Sequence, residues 1–86
     1  MTMEKPTWLL QQHIKITLDA RPILAAGEHP LARVMEETKG LGKGEIYEMI
    51  TPFTPVPLIE KVKAMGFESF SMEENPSEIH TYFQKI

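Results

Sequence analysis

The residues with the most chemical reach gather in two short runs, Asp19-Ala20-Arg21-Pro22 and Gly27-Glu28-His29-Pro30-Leu31. The second reads as the mouth of a helix. Proline suits a first helical position because its missing N–H has no intrahelical partner there, and His29 directly precedes it. A helix N-terminus leaves backbone N–H groups unpaired and carries a partial positive charge, so it can hold an anion. A neutral imidazole beside it can donate or accept a hydrogen bond or bind a metal. Arg21 could grip a carboxylate or phosphate with two parallel hydrogen bonds. Each residue also has a plainer use. His29 could cap the helix and tie its loop down, and Arg21 could pair with Asp19 or with loop backbone.

The elements that would position these groups follow from periodicity. Ile14, Ile16 and Leu18 alternate with Lys15, Thr17 and Asp19, the pattern of a half-buried strand. Ala20 to Glu28 contains Pro22 and Gly27 and reads as a loop, with room for a turn around Ile23 to Ala26. Leu31, Val34, Met35 and Thr38 recur at helical spacing until Gly40, Gly42 and Gly44 end the helix. Ile46 to Ile50 is a second strand. Thr54-Pro55 opens a second helix with the stripe Leu58, Ile59, Val62 and Met65, stopped by Gly66. Phe67 to Met72 is a third strand, Asn75-Pro76-Ser77 a hairpin connection, and Ile79 to Phe83 a fourth strand.

Strand–helix–strand units pair in parallel and cross over with one hand, which puts both helices on one sheet face. The expected architecture is an α/β (α+β) two-layer sandwich with a mixed four-stranded sheet over residues 13–86. Residues 1–12 form an N-terminal segment with a short helical turn at Trp8-Leu9-Leu10. The second strand is apolar on both sides, so the open sheet face needs a cover. The N-terminal segment is the favoured cover, and a weak homodimer through that face is the other.

If the first two strands are parallel, Asp19-Ala20-Arg21 ends beside Thr51-Pro52-Phe53-Thr54. Ligands of open α/β sheets bind at the carboxyl ends of strands, near helix N-termini. The candidate ligand site is therefore Arg21, His29, Thr51 and Thr54, with Phe53 as an apolar wall. Asp19 with Arg21 stiffening the loop remains the competing use.

Composition narrows the chemistry. The 86 residues include no cysteine, which excludes thiolate nucleophiles, disulfides and cysteine metal sites and fits a reducing compartment. The net charge is −3 with no basic stripe, so nucleic acid is not an expected partner. No apolar run reaches the roughly 18–20 residues of a membrane helix, and the first twelve residues lack the features of a signal peptide. Membrane association is not expected, and a cytoplasmic setting is. His13, His29 and His80 lack metal-ligand spacing. Glu36-Glu37 and Glu73-Glu74 read as solvated acids, and Met35, Met49, Met65 and Met72 as core filler. No nucleophile–base pair is legible, so no catalytic residue is assigned.

The runs LDARPILAAGEHPLARV and YEMITPFTPVPLIEKVKAMGF, followed by a C-terminal strand pair, resemble a bacterial family of uncharacterised domains, domain of unknown function family 2249. That family is related to the TusA sulfur carriers, or SirA-like group. The resemblance spans roughly residues 13–86 and implies a two-layer sandwich. In the carriers a Cys-Pro pair opens the first helix and the cysteine bears sulfur; here the pair is His29-Pro30, so sulfur carriage does not transfer.

Two functions follow. One is a non-catalytic binding or interaction module that holds a small anion or docks on a partner protein at the first helix mouth, with no cofactor. The other is a small enzyme or group-transfer accessory using His29 as acid–base or metal ligand.

Overall fold

The computed structural model describes residues 6–11 and 14–86; His13 lies outside them. The elements are α1 (Thr7–Gln11), β1 (Ile14–Asp19), α2 (Arg21–Ala25), α3 (Leu31–Thr38), β2 (Ile46–Thr51), α4 (Val56–Lys63), β3 (Phe67–Asn75) and β4 (Glu78–Lys85). They form an α+β domain with one four-stranded mixed sheet in the order β1-β2-β4-β3. The β1–β2 pair is parallel, and β2–β4 and β3–β4 are antiparallel.

The second strand–helix–strand unit does not close by direct pairing. β3 runs in the same direction as β2, but β4 lies between them. Burial explains the order. β4 presents buried side chains on both faces, Phe83 and Ile79 on one and Tyr82 on the other, and such a strand belongs in the middle of a sheet. β3 carries Glu68, Ser69, Ser71, Glu73 and Glu74, a polar complement suited to an edge.

The core lies between the sheet and helices α3 and α4. Leu18, Tyr47, Met49, Phe67 and Phe83 meet Val34, Leu41, Leu58 and Val62 there. On the other sheet face Ile46 and Tyr82 are also buried, since neighbouring strand residues point to opposite faces. The short α1, with Trp8 and Leu9 half-buried, lies against β4.

Ala20 to Glu28 contains more order than a loop. Pro22 sits in the first turn of α2, where its fixed φ is already helical. The Leu24 N–H donates to the Ala20 carbonyl at 3.0 Å. Gly27 then takes φ +79°, a left-handed conformation that favours glycine, and turns the chain toward α3. Ile23 and Leu24 pack on the core as a result.

Glu37 also departs from the sequence reading of a solvated acid. Its side chain lies on the inner flank of α3, and the hydroxyl of the fully buried Tyr47 donates to Glu37 Oε1 at 2.5 Å. Burial, with Glu37 beside it, pushes the Tyr47 phenol well above its ordinary range.

Candidate functional site

β1 and β2 end side by side. Asp19 pairs with Ile50, and the Ala20 N–H donates to the Ile50 carbonyl at 2.9 Å. The two chains diverge from that edge, one into α2 and the mouth of α3, the other through Thr51–Pro55 into α4. The divergence leaves a groove of about 250 Å³. Its walls are mostly apolar: Leu24 from α2, Leu31 from α3, Leu58 from α4, the prolines Pro30, Pro55 and Pro57, and Phe53 from the loop. Phe53 is 51% exposed, high for an aromatic ring. The polar side chains on the lining are His29, Thr51 and Lys61.

Three of the five residues expected at the site from sequence line this groove: His29, Thr51 and Phe53. Thr51 contributes shape, because its buried hydroxyl donates to the Phe53 carbonyl at 2.5 Å. Thr54 is exposed and is not among the lining residues.

Arg21 is engaged elsewhere. Its Nε and Nη2 donate to the two carboxylate oxygens of Asp19 at 2.9 and 2.8 Å, and Nη1 meets Glu78 Oε1 at 3.5 Å. The Arg21 guanidinium holds the Asp19 carboxyl below the usual carboxylate range. The competing sequence reading, in which Asp19 and Arg21 stiffen the loop, is the one these contacts match.

The mouth of α3 differs in detail from expectation. Pro30 is the cap rather than the first helical residue, and the Val34 N–H closes the first turn on its carbonyl at 2.9 Å. No side-chain hydrogen bond caps the helix. His29 therefore stands one position outside, exposed, and is one of the residues lining the groove.

Lys61 was not expected. It lies three residues after Leu58 on α4, and residues at that spacing share a helix face. The Leu58–Val62 stripe marked that face, so the flanking lysine was the available signal.

A second constellation occupies the opposite sheet face. His80 Nδ1 is 2.8 Å from Glu48 Oε2, and Nε2 is 2.7 Å from Glu78 Oε2. The Thr17 hydroxyl donates to Glu48 Oε1 at 3.0 Å, and the His80 ring stacks on Tyr82 with centroids 6.3 Å apart. A neutral imidazole has one N–H and can serve only one carboxylate; the arrangement is that of an imidazolium. Burial opposes the charge, but the hydrogen bonds and charges of Glu78 and Glu48 outweigh it and raise the His80 pKa. The cluster depends on the pairing of β2 with β4, which residue types alone do not specify.

Among the described residues no group of three or more histidine, aspartate or glutamate side chains is arranged to hold a metal ion. No helix among them is long and apolar enough to cross a membrane. Comparison with curated proteins and with solved structures finds no match. A family model described as "Uncharacterized conserved protein (DUF2249)" matches residues 17–85, which include both halves of the groove and the His80 cluster. On that match the chain belongs to the DUF2249 family of uncharacterised conserved proteins.

Proposed function

We propose that this domain is a non-catalytic binding module whose groove at the mouth of α3 takes a small organic anion. The apolar body of the ligand rests against Leu24, Phe53 and Leu58, and its charged end faces Lys61 and His29. The observation that carries the reading is the composition of the groove wall, apolar with two nitrogen-bearing side chains. Such a site matches the general build of small-molecule pockets, in which apolar walls supply contact area and a few polar groups fix orientation. A protein partner would have to offer the same pair, an apolar side chain next to a carboxylate.

The likeness to TusA-type sulfur carriers is part of this proposal. His29 takes the place of the carrier cysteine, so the module keeps a binding mouth without sulfur chemistry. A bacterial source rests on the same likeness, and a cytoplasmic setting on the cysteine-free composition.

Phenylacetate, 2-phenylethanol and acetate make a discriminating probe set, read by amide and methyl NMR shifts. Phenylacetate is expected to saturate a site at Leu24, His29, Phe53, Leu58 and Lys61. The alcohol binds the same residues more weakly, and acetate does not saturate. Lys61→Ala and His29→Ala are each expected to lower phenylacetate affinity about tenfold, or about 1.4 kcal/mol. Both side chains are exposed, so thermal stability stays near that of the parent. Shifts scattered away from the groove, or equal binding by acid and alcohol, would count against the proposal.

A further inference from the structure

The His80 cluster and the groove lie on opposite faces of the sheet, yet a continuous set of contacts joins them. Glu78 meets His80 Nε2 with one carboxylate oxygen and Arg21 Nη1 with the other, at 2.7 and 3.5 Å. Arg21 is the first residue of α2, and Leu24, on the same short helix, is a wall of the groove. We propose that His80 is a protonation-controlled latch: while both ring nitrogens donate, Glu78 is held where it meets Arg21, and loss of the ring proton releases Glu78 and loosens its tie to α2. As regulation of ligand binding this rests on the groove reading; the latch itself does not.

Deprotonation leaves a nitrogen lone pair aimed at a carboxylate oxygen, so one of the two acids must move. Glu48 is the more enclosed, 12% exposed against 29% for Glu78, and its other oxygen is kept by Thr17. Glu78 opens β4 next to the hairpin, where its remaining partner is Asn75 Nδ2 at 3.3 Å. It is the acid that can turn to water. Among the described residues, the charged and titratable groups around the ring are Glu48 on β2, Glu78 and Tyr82 on β4 and Asp19 on β1, with Arg21 on α2 reaching it through Glu78 and Glu74 on β3 acting on Tyr82. The sequence of α1, Thr7–Gln11, adds none.

The test is a pH titration of the full chain without ligand, following the His80 ring, the amides of residues 21–25 and the Leu24 methyls by NMR. It is run in the parent and in His29→Gln, so that the imidazole of the groove cannot account for a Leu24 shift. His80 is expected to titrate above an ordinary histidine, and the α2 and Leu24 signals to follow its midpoint in both proteins. Glu78→Gln should move the midpoint down and abolish the α2 response. Arg21→Gln should leave the midpoint raised while the α2 signals stop following it. An ordinary His80 midpoint, or α2 signals that ignore it or lose their response in His29→Gln, would overturn the latch. Because no ligand is present, these outcomes are separate from success or failure of phenylacetate binding.

Discussion

Phe83→Ala is expected to remove a large share of the stability of this domain. Phe83 is fully buried at the centre of the sheet, opposite Tyr47 on β2 and Ser69 on β3. Truncating such a ring costs about 3–5 kcal/mol, since contacts are lost and the cavity only partly collapses. A domain of 86 residues has only about 4–13 kcal/mol in total at typical values per residue. Urea denaturation followed by far-UV circular dichroism should show a midpoint far below that of the parent or no cooperative transition. A loss under about 1 kcal/mol would mean that Phe83 does not anchor the core. The contrast with His29→Ala and Lys61→Ala matters, because those changes should weaken binding about tenfold and spare the fold.

The second large effect is a stability optimum on the acid side of neutrality. His80 has a raised pKa in the folded chain, so its contribution is fully present below 6.5, the ordinary histidine value, and is lost as pH rises through the folded value. Asp19 and Glu78 have lowered pKa values, chiefly through hydrogen bonds from Arg21 and His80 respectively. Their contributions are present above the ordinary values of 3.8 and 4.5 and are lost as pH falls through the folded ones. Both sets are intact between 4.5 and 6.5. Above that window one proton is at stake, which limits the slope to about 1.4 kcal/mol per pH unit. Urea midpoints measured across pH should decline on the alkaline side in the parent and flatten in His80→Gln. A profile that rises steadily from pH 6.5 upward would contradict the assignment of His80 as an imidazolium.

The sequence was most informative where periodicity is strict. The alternation of Ile16 and Leu18 with polar neighbours locates β1, although a register shift between Ile14 and Ile16 leaves Ile14 exposed, and the Val34–Thr38 and Leu58–Val62 stripes fall on the buried sides of α3 and α4. It was less informative where an element is short. α2 spans five residues, and its helical turn is fixed by Pro22 and by packing of Ile23 and Leu24 rather than by a repeat. The strand order was hidden for a different reason. Inserting β4 between β2 and β3 is a choice among sheet arrangements that local propensity does not make.

At the candidate site, the approach of β1 to the β2 exit was legible because parallel strands end at a common edge. That placed His29, Thr51 and Phe53 in one region, and all three line the groove. The role of Arg21 was not settled by residue type: a guanidinium fits a ligand and a neighbouring aspartate equally well, and its two bonds to Asp19 are a feature of side-chain geometry. The His80 cluster was hidden by sequence distance, since Glu48 and His80 meet only through the antiparallel β2–β4 register.

The most direct measurement of the binding reading is a set of intermolecular NOEs in the presence of saturating phenylacetate. Cross-peaks from the aromatic protons of the probe to the methyls of Leu24, Leu31 and Leu58 are predicted, with the Lys61 side chain shifted alongside. Cross-peaks instead to Ile46 or to Tyr82, on the far side of the sheet, would place the ligand elsewhere and contradict the account.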